Sequence, residues 1–333
     1  MTDPQFDVIG IGNAIVDVLA HADDEFLAAE GLTKGTMTLI DAEEAKRLYQ
    51  KIGPAVECSG GSAANTIAGL ASLGGKGAFI GKVHDDQLGE VFRHDIRALG
   101  VAFDTVANDS GPPTATSIIL VTPDAQRTMQ TFLGACVDLG PDDIDPEMIT
   151  DAKITYLEGY LWDPPGAKEA FVKAADVAHQ TGHKVSLSLS DPFCVDRHRD
   201  DFLDLAEHHV DILFANEQEI ISLYQASSFD QSLQAVRGHC EIAALTRGAK
   251  GSVIVSGDEI HIIDADPVGK LADTTGAGDA FCGGFLGALV RDQDPVAANG
   301  YVQEAFVKQL AAEAGFVFVA ASEINANEKD TKD

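Results

Sequence analysis

The sequence predicts an α/β fold: a doubly wound, mostly parallel sheet flanked by helices, with a small β lid. Three observations carry this. Short, continuously apolar runs alternate with stretches of helical periodicity, as happens when strands are covered on both faces. Glycine-rich turns stand at the carboxyl ends of those runs, where open α/β sheets place their ligands. One pair of β-type runs also follows in sequence with no helix between its members, which sets it apart from the main sheet.

The elements follow in order. Residues 6–11 read as a strand opening onto Gly10, Gly12 and Asn13. Residues 62–73 read as a helix, with Ile67, Leu70 and Leu73 at helical spacing. Residues 77–83 are the next strand, and 86–99 a helix that Gly100 ends. Strands are expected at 154–157, 184–189 and 210–215, each followed by a helix, at 166–180, 197–209 and 217–225. Two stretches break this rhythm. Residues 35–40 and the region around Val56 look like strand, and 114–122 and 127–133 are joined by Pro123-Asp124-Ala125-Gln126 as a hairpin. They predict a small antiparallel sheet built from two insertions, about 14–59 and 101–135, lying over the ligand edge as a lid. Residues 1–333 otherwise read as one domain, frayed from Glu323 onward.

A chain of 333 residues buries a large core without disulfides or a structural metal. Its 45% hydrophobic and 23% charged composition excludes a disordered or fibrous protein. With 53 acidic and 23 basic residues the formal net charge is −30. Such a chain repels nucleic-acid phosphates and anionic lipid, so no nucleic-acid or membrane partner is expected. An anionic substrate would then have to be met by backbone amides or a bound cation. Cys58, Cys136, Cys194, Cys240 and Cys282 are scattered with no CxxC spacing, which fits reduced thiols. No signal peptide and no apolar run of about 18 residues is found. The expectation is a cytoplasmic enzyme.

Several motifs are near misses. Gly10-Ile11-Gly12 invites a dinucleotide reading, but the third glycine would fall at Ile15. The P-loop-like stretch from Gly69 to Lys76 is followed by Gly77, which has no hydroxyl for Mg²⁺. His198-Arg199-Asp200 lacks the Asn expected five residues on, where Leu205 stands. His208 and His209 are adjacent, not spaced to place two ligands on one helical face.

Four constellations carry chemistry. In the first, Asp273-Thr274-Thr275-Gly276-Ala277-Gly278-Asp279 opens a helix. Gly276, Ala277 and Gly278 carry little side chain, so free N–H groups at the helix start suit an anion. Asp279 in the first turn suits a base that takes a proton from a hydroxyl attacking a phosphate, or a carboxylate that only complements the helix dipole. In the second, Asn216 and Glu219 are three apart after a strand; Glu219 suits Mg²⁺ held through water, and the pair equally suits a capping box. In the third, Asn13 and Asp17 follow the first strand, and Gly60, Gly61 and Asn65 lead into a second helix. Asp17 suits a pair of sugar hydroxyls, and the glycines let backbone approach a ligand. In the fourth, Thr246-Arg247-Gly248-Ala249-Lys250-Gly251 suits a phosphate wrap or a tight turn.

Occurring together and in this order, these segments resemble the ribokinase-like PfkB family of carbohydrate and nucleoside kinases, over about residues 6–300. Within it, Gly12-Asn13-Ala14-Ile15-Val16-Asp17, residues 187–193 and residues 210–217 are similar to the adenosine-phosphorylating members. The resemblance implies Asp279 as general base and Gly276, Ala277 and Gly278 as the anion hole. It implies Asn13, Asp17, Gly60, Gly61 and Asn65 as acceptor-binding, with Leu39, Met129, Leu133 and Leu161 enclosing the base and Arg127 near the phosphates. It implies Asn216, Thr246, Arg247, Gly248 and Gly251 on ATP, Glu219 on Mg²⁺ through water, and Asp273 and Thr275 at a monovalent cation site such as K⁺. Ser188 departs from the Asn common in those members, and the stretch after Tyr301 departs from the family's usual ending. The expectation is an ATP-dependent phosphotransferase acting on a primary hydroxyl of a ribose-type substrate, foremost adenosine, as a monomer or homodimer. The alternatives are a kinase of ribose, fructose or a keto-deoxy sugar acid, and a noncatalytic binding protein.

Overall fold

The computed structural model describes residues 4–124, 126–265, 276–291 and 294–298. Its strands are β1 (Phe6–Ile11), β2 (Ile15–His21), β3 (Met37–Leu39), β4 (Ala55–Gly60), β5 (Gly77–Ile80), β6 (Ala115–Val121), β7 (Arg127–Phe132), β8 (Ala152–Glu158), β9 (Lys184–Ser188), β10 (Ile212–Asn216), β11 (Ile242–Thr246), β12 (Ser252–Ser256) and β13 (Glu259–Ile263). The larger sheet runs β13-β12-β11-β10-β9-β8-β1-β5, and the smaller β3-β7-β6-β2-β4. From β11 to β5 every pairing is parallel; β12 and β13 close the far edge antiparallel. This is the doubly wound, mostly parallel sheet expected from the continuous apolar runs.

Successive strand residues face opposite sides of the sheet, and both sides are buried. Ile9, Ile11, Leu157, Leu187 and Leu213 pack with Phe171 and Phe202, which come from the helices Pro165–Gln180 and Arg199–His208. Val8, Tyr156, Ile212 and Phe214 face the other way, onto Ile67, Leu70 and Phe285 of the helices Ser62–Ser72 and Ala277–Leu289.

Three expectations are corrected, and one strand was not anticipated. The smaller sheet is mixed, not antiparallel: β2 pairs with β6, and β3 with β7, in parallel. Only β2–β4 and β6–β7 are antiparallel. Strands from separate insertions meet without a hairpin to dictate their direction. Ile15–His21 is itself a strand, so β1 leads through Gly12 into another strand and not into the helix a dinucleotide site requires. The strand expected at 77–83 stops at Ile80. The helix expected at 197–209 spans Arg199–His208, and a separate helix (Pro192–Arg197), capped by the Asp191 carboxylate on the Cys194 N–H at 2.6 Å, precedes it across His198.

The helices Ser62–Ser72 and Ala277–Leu289 cross closely because of glycine. A Cβ on Gly283 would stand 2.4 Å from the Thr66 carbonyl oxygen and 3.0 Å from the Leu70 nitrogen. Backbone cannot retreat as a side chain does, so the helices would separate. Gly283→Ala is expected to lower stability by about 1–3 kcal/mol, read from the denaturant midpoint. An unchanged midpoint would contradict the close crossing.

Candidate active site

The carboxyl ends of β8, β9, β10 and β11, with Asp17 of β2 and the helix starts at Gly61 and Gly276 beside them, open into one pocket of about 410 Å³. A larger groove of about 660 Å³ lies between the helices Pro165–Gln180 and Arg199–His208, away from these strand ends. The smaller pocket is where the chemistry converges.

At the β1 end, Asp17 from β2 faces Gly61, Ser62 and Asn65 at the start of the helix Ser62–Ser72. The two glycines are sterically required. A Cβ on Gly60 would lie 2.3 Å from the Asp17 Oδ2. Gly61 has φ +99°, and a Cβ there would lie 2.2 Å from the Asn13 carbonyl oxygen. Ile119 and Met129 of the smaller sheet add an apolar wall, and Ser117 a hydroxyl.

Asp279 stands over this end. The Ser62 hydroxyl donates to its Oδ1 at 2.7 Å, and the Asn65 amide to its Oδ2 at 3.5 Å. Enclosure lifts its pKa to about 6, while the bonds from Ser62 and Asn65 pull it back. Burial also lifts Asp17 to about 7, opposed by the charge of Arg127 and assisted by that of Asp279. The helix carrying Asp279 starts at Gly276 with φ +67° and no side-chain cap. Gly276 and Gly278 line the pocket, and around Gly278 the space is open. Its first N–H groups are thus available to an anion.

The far end is built by Asn216, Glu219 and Thr246. Glu219 accepts from the Asn216 N–H at 2.8 Å and its side-chain amide at 2.5 Å. The Asn216 Oδ1 accepts from the N–H groups of Gln218 and Glu219. This is a reciprocal capping box whose two members also face the pocket. Burial raises Glu219 to about 7, with Asp191 adding to the rise.

Other expected site residues lie elsewhere. Asn13 is buried and gives its amide to Glu158 at 2.6 Å, so it shapes the pocket from behind. Arg247 bonds Glu217 at 3.1 Å and lies 4.1 Å from the Phe229 ring centre. Gly248 and Gly251, both at positive φ, form the turn between β11 and β12, with Thr246 alone of that segment lining the pocket. Leu39 is exposed on β3, Leu133 ends the β6–β7 hairpin, and Leu161 is buried in the main core; none of the three lines the pocket. Arg127 starts β7 and acts on Asp17 through its charge. Asp273 and Thr275 lie outside the described residues.

Sequence reasoning missed Tyr160, Ser190 and Phe281, which line the pocket, and Glu158, which braces it. The signal for Glu158 was a carboxylate ending an apolar strand. It accepts from the Asn13 N–H at 3.3 Å, the Asn13 amide and the Ala63 N–H at 2.8 Å. Burial holds its pKa at about 7 against those bonds. Glu158→Gln would aim an amide N–H at groups that already donate. The expected cost is about 1–3 kcal/mol in denaturant unfolding.

Among the described lining residues there are three carboxylates and no lysine, arginine or histidine. No cluster of three or more metal-ligating side chains occurs among the described residues. The donor set fits a Mg²⁺ that keeps its waters and phosphate oxygens, with Glu219 the carboxylate that would hold it through water, and does not fit a dedicated protein cage.

A buried carboxylate beside an uncapped helix start, at the carboxyl edge of a parallel sheet, is an arrangement that suits phosphoryl transfer to a small-molecule hydroxyl. A profile of the pfkB family carbohydrate kinases matches residues 26–305, and the chain belongs to that family of ATP-dependent sugar and nucleoside kinases. A crystal structure of a probable sugar kinase protein from Rhizobium etli CFN 42 is 50% identical, covers 90% of this chain and 91% of that one, and superposes with a TM-score of 0.84. The adenosine kinase from Sinorhizobium meliloti is also 50% identical, with coverages of 90% and 92% and a TM-score of 0.83. The probable fructokinase-6, chloroplastic, of Arabidopsis thaliana is 30% identical over 245 residues, which span 70% of this chain and 62% of that protein. The family uses ATP and Mg²⁺ on a small-molecule acceptor. Among the described residues no helix is long and apolar enough to cross a membrane.

Proposed function

We propose that the chain transfers the γ-phosphoryl group of ATP to the primary hydroxyl of adenosine, giving AMP. The observation that carries this is the placement of Asp279, held by Ser62 and Asn65 between the Asp17 end of the pocket and an uncapped helix start. The 50% identity to an adenosine kinase supports the acceptor. So does the apolar wall of Ile119 and Met129, which suits a purine better than a free sugar.

Asp17 accepts hydrogen bonds from the ribose hydroxyls, and Asn65 orients the acceptor beside Asp279. The nucleotide lies along Asn216 and Thr246. As the new O–P bond forms, the Asp279 carboxylate takes the hydroxyl proton and the O–P bond to ADP breaks. A base with a pKa of about 6 is ionised at neutral pH yet still basic enough to assist. The N–H groups at Gly276–Gly278 meet the negative charge of the transferring group. Mg²⁺, held through water by Glu219, neutralises phosphate charge when bound. The smaller sheet serves as a lid that excludes water, a competing nucleophile. Asp273 and Thr275 remain assigned by resemblance to a monovalent cation such as K⁺.

A second reading, a free-sugar acceptor, is favoured by the hydroxyls of Ser117, Ser188 and Ser190 in the lining. ADP release with MgATP and a panel of adenosine, other nucleosides, ribose and fructose separates the two. Turnover of adenosine at micromolar concentration is expected; turnover of a free sugar alone would refute the adenosine reading. With the preferred acceptor, Asp279→Asn is expected to lose at least about 100-fold in kcat while still binding it. More than about a tenth of the activity remaining would remove Asp279 as base.

The pH dependence follows in sign. Asp279 must be ionised to accept a proton, so kcat should fall about tenfold per unit below its pKa of about 6. The acid limb should vanish from the residual activity of Asp279→Asn. A wild-type profile flat down to pH 5 would contradict the assignment.

A further inference from the structure

The pairing of β8 with β9 sets Glu158 opposite Ser188 and stops there. Two residues further along each segment, a side chain continues it. The Ser190 Oγ accepts from the Tyr160 N–H at 3.1 Å and donates to the Ser188 carbonyl at 3.4 Å. Tyr160 belongs to the 3₁₀ turn Gly159–Trp162, whose start has no side-chain cap from its own segment. Ser190 supplies that cap from beyond the neighbouring strand.

Two more contacts seat the turn on the same stretch. A Cβ on Gly159 would lie 2.6 Å from the Ser188 carbonyl oxygen, so glycine lets the turn lie against it. The Cys194 thiol donates to the Gly159 carbonyl at 3.2 Å. Seated this way, the turn sends Leu161 into the main core and Tyr160 to the pocket. β8 borders β1 in the sheet, so the turn lies beside the Asp17 end of the pocket. Asn216 and Thr246 stand at the ends of β10 and β11, further along.

Ser190 holds its hydroxyl there against backbone strain. Its φ is +72°, and it is one of two non-glycine residues at positive φ among the described ones. Glycine adopts that conformation freely, so backbone preference alone would favour glycine. What serine adds is the hydroxyl, and its two bonds go to the turn and to the strand end beneath it.

We propose that Ser190 is a positioning residue for the phosphoryl acceptor: it holds Tyr160 as a wall of the acceptor end, and so sets acceptor affinity without entering nucleotide binding. The proposal rests on the reading of the pocket as an ATP-dependent kinase site with its acceptor at the Asp17 end, and not on the acceptor being adenosine. The test is the steady-state kinetics of Ser190→Gly with the acceptor that the wild type turns over, varying acceptor and MgATP in turn, beside a thermal melt. KM for the acceptor is expected to rise about 3–10-fold, the range of one lost hydrogen bond, with KM for ATP unchanged. The melting midpoint is expected to hold, because relief of the strained φ offsets the greater freedom of glycine in the unfolded chain. In a Tyr160→Ala background the same substitution is expected to add less than about twofold, since Ser190 acts through that residue. An unchanged acceptor KM overturns the proposal. So does an equal rise in both KM values with a lowered midpoint, which marks general loosening. A full additional rise in the Tyr160→Ala background also overturns it, because the hydroxyl would then touch the acceptor itself. Turnover of a sugar in place of adenosine would overturn only the acceptor assignment, and absence of turnover with every acceptor would overturn the kinase reading and this proposal with it.

Discussion

The buried carboxylate of Glu158 ties the acceptor end of the pocket together. It ends β8 and receives donors from the loop after β1 and from the first turn of the helix Ser62–Ser72. An enclosed carboxylate is costly unless satisfied, and here three donors from two distant segments satisfy it. Gly12 leaves room for it: a Cβ there would lie 2.3 Å from the Glu158 Oε2. With Asn13 and Ala63 fixed, Gly61 is pressed into its positive φ, and Ser62 and Asn65 point where Asp279 arrives. The close crossing at Gly283 then sets how near Asp279 comes. One contact fixes the frame and the other brings the Asp279 carboxylate to it.

The proposed nucleotide end uses another economy. Asn216 and Glu219 answer each other's backbone as a helix cap and line the pocket with the same side chains. Capping the helix and lining the pocket are therefore not rivals at this position. The cap holds two polar side chains rigidly at a strand's carboxyl end, which is what phosphoryl transfer asks of its surroundings.

The parallel sheet was legible because strands buried on both faces cannot alternate, and their apolar runs stand out. Ile15–His21 was not, because it follows β1 after three residues and a motif-like glycine pair occupies the junction. The parallel pairing of β2 with β6 depends on two insertions meeting in space, which no local pattern encodes. At the site, Asp279 and its glycines were legible as a helix start without a side-chain cap. The Glu158 partner of Asn13, 145 residues away, cannot be seen from the segment that carries Asn13. Leu161 and Tyr160 are neighbours in sequence, and a 3₁₀ turn alone decides which enters the core. Arg247 is held by Glu217 and Phe229, which are invisible from its own segment.

The charge of the molecule bears on its kinetics. In the proposed reaction ATP approaches a chain of formal charge −30 and enters a pocket whose described lining carries three carboxylates and no basic side chain. The long-range field opposes the nucleotide's arrival and hastens the departure of anionic product. Mobile ions shorten that field to about 8 Å at physiological ionic strength. Salt, which slows enzymes that draw their substrates in by opposite charge, therefore speeds nucleotide encounter here. The recognition energy is left to short-range contacts that engage only after the substrate is inside.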